Sequence, residues 1–366
     1  MSNNIIKTVV IKIGTNTLTD DSGQLNRERL NRLAKEISKI KADKLIVTSG
    51  AIGAGSSALG IKGKTREVTL RQATASIGQG LLMAEWTAAF SKYKQKVAQL
   101  LLTHDVFNNR KSYLNLRNCV SRLLKLNVIP IINENDPIAI DEIDKMFGDN
   151  DKLSALVASK IGADLLIMLS DVDGFYTGNP KKDKSATKIA EIRNIDAGLL
   201  RLAGKAGSTN ATGGMITKLN AAKICMDAGV TMVITDGSQE DVIGKILDNV
   251  PVGTVFIPGE RISNKKNWIR LAKSKGTVTV DTGAKIAILS GRNLLPAGVH
   301  HVDGQFEIND VIELVSDGVF AKALSDYGSA DLKKIMGKNS SEIKDILGYE
   351  GCDNITRREN LVILED

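Results

Sequence analysis

Two runs of acidic and amide residues stand at the ends of predicted elements. Asn133, Glu134, Asn135 and Asp136 follow the apolar run VIPII directly, and Asp149, Asn150 and Asp151 directly precede KLSALVASKIGA. In an open α/β sheet, ligands bind in the crevice outside the carboxyl ends of the strands, so carboxylates and amides there face a small polar molecule rather than a core. The second run also stands where a helix N-cap belongs, but one Asp satisfies a cap and three polar residues exceed that need. Three further segments suit phosphate. Lys12 lies in the strand-like part of KIGTNTL, which ends at Gly14, so its ammonium can project over the sheet edge; the plainer reading is a surface lysine. In TSGAIGAG, Ser49, Gly50, Gly53 and Gly55 form a strand-to-helix turn whose main-chain N–H groups can hold an anion, although glycines there also serve close packing. In TGGMITK, Thr212 can cap a helix, Gly213 and Gly214 let main chain approach a phosphate, and Lys218 follows within the first turn or two. Neither the GxGxxG order of a dinucleotide turn nor a GxxxxGK[ST] loop is present.

Such residues need elements to hold them. The β-rich runs TVVIKIG, KLIVTSG, VAQLLLT, VIPIIN, LLIMLS and TMVIT alternate with helical patterns, which indicates a mainly parallel sheet with helices on both faces. Between the first two runs, Leu30, Leu33, Ile37 and Ile40 form one helical stripe with Asn26 available as a cap. A second helix begins near Met215 and presents Leu219, Ala222 and Met226. From about Pro258 the texture turns polar and basic, then passes into short strand-like runs separated by Gly and Asp. The expected division is a first domain over 1–258, a linker over 259–274, and a small, mostly β domain with its tail over 275–366. There is no internal repeat and no low-complexity tract.

Composition narrows the chemistry. A chain of 366 residues suits two domains, and 42% hydrophobic with 25% charged residues is ordinary for a globular protein. The N-terminal MSNNIIKTVVIKIG has no signal-peptide pattern and no apolar run reaches membrane-span length, so a cytoplasmic location without membrane contact is expected. Cys119, Cys225 and Cys352 are widely scattered, and the histidines are His104, His300 and His301, which leaves little material for a zinc site, a disulfide framework or a His-based triad. The net charge of +7 is uneven: Lys275 to Asp366 carries 10 Lys and Arg against 15 Asp and Glu, so the basic excess belongs to the first part. That excess suits an anionic small ligand there, and the acidic balance weakens a nucleic-acid reading of the C-terminal segment.

In order and separation, KIGTNTL, VTSGAIGAG, INENDPIA, GDNDKLSALVA, SDVDGFYTGNP and TGGMITKLNAA closely resemble the bacterial glutamate 5-kinases of the amino acid kinase family. The tail, NLLPAGVHHVDGQFEINDVIELV followed by LSDYGSADLKKIMGKNSSEIKDILGYE, resembles the PUA domain that many of them carry, so the likeness spans nearly the whole chain. It implies an α/β fold, an αβα sandwich of amino acid kinase type with a mainly parallel sheet, plus a small mostly-β PUA domain. It also implies ATP- and Mg²⁺-dependent phosphorylation of the side-chain carboxylate of L-glutamate, the committed step toward proline. By motif, Lys12 and Lys218 would contact the phosphate oxygens, while Asp151 holds the two lysines and Asp149 helps organise them. Ser49, Asp136 and Asn150 match glutamate-binding positions, with Asn133 in the same INEND motif. Gly14, Gly50 and Ala51 lie in turns whose main chain would face phosphates or substrate. Ser170, Asp171 and the segment Thr212, Gly213, Gly214, Met215, Ile216, Thr217 and Lys218 match the nucleotide-binding stretches; Ser170 stands where Thr is often found, and its plainer role is a turn residue. No protein metal ligand is assigned.

The resemblance further implies feedback inhibition by proline, a homodimer or homotetramer, and functional coupling to a separate γ-glutamyl phosphate reductase. Competing readings are a related kinase acting on N-acetylglutamate, aspartate, carbamate or UMP; an RNA-binding or RNA-modifying protein, because PUA domains often bind RNA; and a dinucleotide oxidoreductase. TSGAI, INEND and the tail disfavour the first. The local negative balance and few aromatics (Phe306, Phe320, Tyr327, Tyr349) disfavour the second, and the glycine order the third.

Overall fold

In the computed structural model the described residues are 6–20, 24–61, 63, 67–103, 105–139, 150–178, 183, 185–206, 214–259 and 264–364. The chain divides into two compact units, Met1–Arg261 and Ile262–Asp366. In the first, the strands are β1 (Thr8–Ile13), β2 (Asp43–Val47), β3 (Lys96–Leu102), β4 (Val128–Glu134), β5 (Leu165–Ser170), β6 (Phe175–Tyr176), β7 (Lys188–Ile189), β8 (Glu191–Ile192), β9 (Thr231–Asp236) and β10 (Thr254–Phe256). Its helices are α1 (Thr15–Leu18), α2 (Arg27–Ser38), α3 (Ala51–Ala58), α4 (Val68–Ser91), α5 (Asp105–Asn108), α6 (Arg110–Lys125), α7 (Asn150–Ile161), α8 (Ala197–Ala206), α9 (Gly214–Asp227) and α10 (Val242–Leu247).

Among the described residues, one sheet runs in the order β3-β4-β2-β1-β5-β9-β10-β8, and β6 with β7 forms a separate ribbon. Neighbours from β3 through β9 are parallel, β10 runs antiparallel to β9, and β8 is parallel to β10. All six residues of β5 are buried, as are Val9 to Ile13 of β1. A strand covered by helices on both faces reads as a continuous apolar run instead of alternating, which is why LLIMLS looks as it does. Lys12 is therefore an exception inside a buried strand.

The helices follow local chemistry. The Asn26 side chain accepts from the main-chain N–H of Arg29 and so caps α2, whose Leu30, Leu33 and Ile37 are buried with Ile40 just beyond. In α9, Leu219 and Ala222 are buried with Cys225, while Met226 is half-buried. Helices α3 and α4 touch main chain to main chain. A Cβ on Gly55 would lie 1.8 Å from the Thr74 carbonyl oxygen, and one on Gly78 would lie 1.8 Å from that of Ala51. Trp86 of α4, fully buried, donates its indole N–H to Thr48 Oγ1 at 3.1 Å, tying the helix to the end of β2.

The second unit holds β11 (Gly276–Val280), β12 (Val299–Gly304), β13 (Val311–Val315), β14 (Val319–Leu324) and β15 (Leu361–Ile363), with α11 (Asn264–Leu271), α12 (Thr282–Leu289), α13 (Ser329–Ile335) and α14 (Ile343–Leu347). Its sheet order is β12-β11-β13-β14-β15, with β11 parallel to β13 and the other neighbours antiparallel. Val278, Leu314, Phe320, Tyr327 and Leu332 lie in its own core. Helix α11, inside the span expected as a linker, packs on β14 and β15 and buries Trp268 and Ile269. No described helix is long and apolar enough to cross a membrane.

Candidate functional site

Parallel strands deliver their carboxyl ends to one edge of the sheet, and four of them bring the polar motifs together there. Lys12 and Gly14 end β1, Ser49 and Gly50 follow β2, Asn133 lies near the end of β4 with Asp136 just after it, and Ser170 and Asp171 close β5. Helices α7 and α9 add Asn150, Asp151 and Lys218.

The centre is a two-lysine, one-carboxylate cluster. Lys12 Nζ lies 2.5 Å from Asp151 Oδ1, and Lys218 Nζ lies 3.2 Å from Asp151 Oδ2. The three residues are only 7%, 9% and 6% exposed, in the order Lys12, Lys218, Asp151. Thr217 Oγ1 donates to the same Oδ2 at 2.8 Å, and Lys218 Nζ also donates to the Gly214 carbonyl at 3.0 Å. Burial by itself would raise the Asp151 carboxyl, but the Lys12 and Lys218 ammonium groups outweigh it and hold the group at about 2. The cluster thus keeps one positive charge in excess, and each ammonium has three donors, more than these contacts use. Buried cations with spare N–H groups suit the oxygens of a polyphosphate.

Asn150, one residue before Asp151, belongs to a second network. Its Nδ2 lies 3.0 Å from each of the Thr48 carbonyl, Ser49 Oγ and Asn133 Oδ1. Asn133 Nδ2 in turn donates to Gln79 Oε1 at 2.7 Å. Asn150 and Asp151 stand in the first turn of α7, and these side-chain contacts point them into the site, so capping does not account for them. Asp136 opens a short 3-10 turn, half-buried, and borders a cavity of about 320 Å³ together with Gln79, Gln99 and Glu134.

The glycine turns divide their labour. Gly50 adopts φ +99° ahead of α3, a left-handed conformation that glycine takes without strain, and Ala51 begins the helix with first-turn N–H groups that have no intrahelical acceptor. Gly55, from the same motif, serves helix packing. The Gly14 N–H is already given to the Leu169 carbonyl at 3.2 Å, and a Cβ there would lie 3.5 Å from Lys12 Nζ. Gly14 therefore leaves room beside the ammonium. A Cβ on Gly214 would meet nothing within 4 Å, so the start of α9 is open to approach. Thr217 and Lys218 reach Asp151, while Met215 is half-buried and Ile216 exposed.

Ser170 Oγ donates to Asp171 Oδ1 at 3.1 Å, and Asn16 Nδ2 donates to Asp171 Oδ2 at 3.0 Å. Burial pushes Asp171 up, but the hydrogen bonds from Asn16, its own main chain and Ser170, with the Lys218 charge, bring it below the usual carboxylate range. Asp149, Thr212 and Gly213 lie outside the described residues. Sequence reasoning did not single out Gln79, the Thr48 carbonyl or Asn16. Asn16 stood within KIGTNTL; Gln79 had no local signal, because a glutamine in a helix carries none.

Comparison with known proteins adds to this geometry. Residues 7–236 match the model of the amino acid kinase family, and residues 276–347 match that of the PUA domain. A glutamate 5-kinase of Methanococcoides burtonii is 46% identical over 96% of this chain and 96% of its own. One of Methanosarcina mazei is 46% identical over 99% of this chain and 97% of its own. One of Caldanaerobacter subterraneus is 42% identical over 98% of each. Archaeal relatives stand foremost among these, so the likeness is to the family as a whole and not to its bacterial members in particular. A carbamate kinase of Giardia lamblia, bound to AMP-PNP, is 20% identical with a TM-score of 0.51 over 69% of this chain and 99% of its own, a likeness of fold.

Proposed function

For a chain that belongs to the glutamate 5-kinase family of amino acid kinases, we propose transfer of the ATP γ-phosphoryl group to the side-chain carboxylate of L-glutamate, giving γ-glutamyl phosphate and ADP. The chain is an enzyme of that family, with a C-terminal PUA domain and a role in proline biosynthesis. One observation carries the reading at residue level. The Lys12, Asp151, Lys218 cluster adjoins the Asn150, Ser49, Asn133 network through consecutive residues of α7, so a site for charge transfer lies beside a site for a polar acceptor.

The chemistry suits these groups. A glutamate side chain has a pKa of about 4.3 and is an ionised nucleophile near neutral pH, so no general base is needed. What remains is positioning and charge. Lys12 and Lys218 offer N–H donors to the transferring and bridging oxygens, and Asp151 keeps the two cations at fixed points instead of apart by repulsion. First-turn N–H groups of α3 and the open start of α9 suit anionic oxygens. Ser49, whose hydroxyl accepts from Asn150 Nδ2 and so keeps its own hydrogen to donate, would hold the accepting carboxylate with Asn150 positioning it, and Asp136 would hold the ammonium group.

Mg²⁺, when bound with the nucleotide, neutralises phosphate charge. Among the described residues no three His, Cys, Asp or Glu side chains gather as ligands for a metal. Mg²⁺ commonly keeps several waters and binds through substrate phosphates, so the ion would arrive with the nucleotide.

The test is ATP turnover with Mg²⁺, trapping acyl phosphate with hydroxylamine, across L-glutamate, aspartate, N-acetylglutamate and carbamate. Hydroxamate with glutamate alone is expected; none with glutamate from folded protein that binds ATP would assign another acceptor. Proline is expected to inhibit, and a flat proline titration would remove that part. A homodimer or homotetramer and coupling to a γ-glutamyl phosphate reductase complete the proposal. RNA binding by the PUA domain is disfavoured, and a salt-dependent RNA shift mapped to residues 275–366 would reverse that.

A further inference from the structure

The amide network around Asn150 has a direction, and it is set by main chain. A carbonyl oxygen can only accept, so the Asn150 side-chain atom 3.0 Å from the Thr48 carbonyl is its NH₂ group. The Asn133 atom 3.0 Å from that same NH₂ must then be its oxygen, which turns the Asn133 NH₂ toward Gln79. Gln79 can answer only with Oε1, and its own NH₂ is left over. Gln79 is 9% exposed, and its Nε2 is buried without a hydrogen-bond partner; Asn150 Oδ1 is likewise a buried acceptor without one. One chain of amides therefore ends in an unused donor at Gln79 and an unused acceptor at Asn150.

The two ends cannot serve the same kind of group: the free Asn150 Oδ1 accepts and cannot bond a carboxylate, whereas the free Gln79 NH₂ donates and can. Asn150 adjoins Asp151 and so the phosphoryl-handling lysines, whereas Gln79 lies two hydrogen bonds further along and lines the cavity that Asp136 also borders. The substrate group meeting Gln79 is thus at the end that is not phosphorylated. That end carries an ammonium and a carboxylate, and an N–H donor can serve only the carboxylate. Gln79 is also held firmly, because Gly78 beside it sits against the Ala51 carbonyl and Trp86 fastens the same helix to Thr48.

We propose that the Gln79 side-chain NH₂ binds the α-carboxylate of the acceptor amino acid, with Asn133 holding it in the donating orientation. This rests on the L-glutamate reading above, and it makes Gln79 a residue that selects for an α-carboxylate.

The test compares Gln79→Met, which loses both the brace to Asn133 and the donor, with Gln79→Glu, which still accepts from Asn133 but faces the substrate with an anion. Both are expected to raise the glutamate KM by roughly 10- to 100-fold, the Glu variant at least as much as the Met variant, with little change in kcat or in the KM for ATP. Competitive inhibition separates substrate contact from bracing. Glutarate keeps both carboxylates and should weaken with glutamate in Gln79→Met, whereas 4-aminobutyrate lacks the α-carboxylate and should inhibit the variant and the wild type equally. A glutamate KM near wild type in Gln79→Glu would overturn the proposal, leaving Gln79 as a brace only. So would 4-aminobutyrate weakening as much as glutamate. Failure of the underlying reading is distinct: the wild type itself would form no hydroxamate with glutamate.

Discussion

Lys12 of β1 and Asp151 of α7 meet as a buried ion pair 2.5 Å apart, at the carboxyl edge of a sheet whose first strand is apolar at every other buried position. Fixing a lysine there commits the fold to keeping its partner. Asp151→Asn keeps the shape and an acceptor for Thr217 but leaves Lys12 and Lys218 as two buried like charges. Removing one member of a buried pair costs about 3–5 kcal/mol, and the fixed spacing of the cations goes with it. Asp151→Asn is expected to lower kcat by about 100-fold or more and to lower the melting temperature, measured by initial rates and a thermal scan. Turnover near wild type would contradict the role given to Asp151.

The same carboxylate sets a pH signature. Its folded value of about 2 lies below the ordinary 3.8, so the stability linked to it is fully present above about pH 4 and is lost as pH falls toward 2. The size is roughly 2 kcal/mol. Urea unfolding of wild type and Asp151→Asn from pH 6 to pH 2 should therefore show the gap between them narrowing on acidification. A constant gap across that range would mean that the carboxylate is not held ionised by the lysines.

Lys12 and Lys218 act on one carboxylate, so their effects should not add. Each Lys→Ala change is expected to reduce kcat by about 100-fold or more with a smaller effect on folding, and the double variant should lose much less than the product of the two. Steady-state rates for the three variants decide it. Strict multiplicativity would mean that the two ammonium groups work independently.

How much of this was legible beforehand follows from which interactions are local. The six β-rich runs correspond to β1, β2, β3, β4, β5 and β9; burial on both faces writes a continuous apolar stretch into strands such as β1, β4 and β5, whereas most of the edge strand β3 is half-buried or exposed. Asn26 as a cap and the Leu30, Leu33, Ile37 stripe were equally readable, being set by neighbours a turn away. The antiparallel β10 was not, since three residues, TVF, carry no signature of direction. Nor was Gln79, whose meaning depends on Asn133 and Asn150, far off in sequence. Resemblance named the two lysines that share Asp151, while Asn16 and the Thr48 carbonyl matter only through contacts that folding creates.

Asp136, proposed to hold the substrate ammonium group, opens a turn after β4 and borders the cavity that Gln79 also lines. Asp136→Ala is expected to raise the KM for glutamate by roughly 10-fold or more, as loss of a charged hydrogen bond does, with a smaller effect on ATP. Substrate titrations at saturating levels of the other reactant measure both. An unchanged glutamate KM would make Asp136 a structural part of its turn.

The contact between α3 and α4 is the scaffold beneath Gln79. Gly78 precedes Gln79 on α4, and a Cβ there would lie 1.8 Å from the Ala51 carbonyl oxygen and 2.5 Å from the Gly55 main-chain nitrogen. Both are backbone atoms of α3, so no side chain can swing aside and the helices must part. Gly78→Ala is expected to destabilise the protein by on the order of 3 kcal/mol, as overpacking a close contact does. Parting the helices also moves Ala51 and Gln79 relative to one another, so glutamate affinity should fall further than ATP affinity in the fraction that stays folded. A neighbouring control is Gly80→Ala, where a Cβ would meet nothing within 4 Å and helix propensity favours alanine; it should match or exceed wild-type stability. Thermal scans of both variants, with glutamate and ATP titrations on the soluble enzyme, test the two claims together. Equal stability in Gly78→Ala and Gly80→Ala would mean that the α3–α4 contact is looser than its geometry requires.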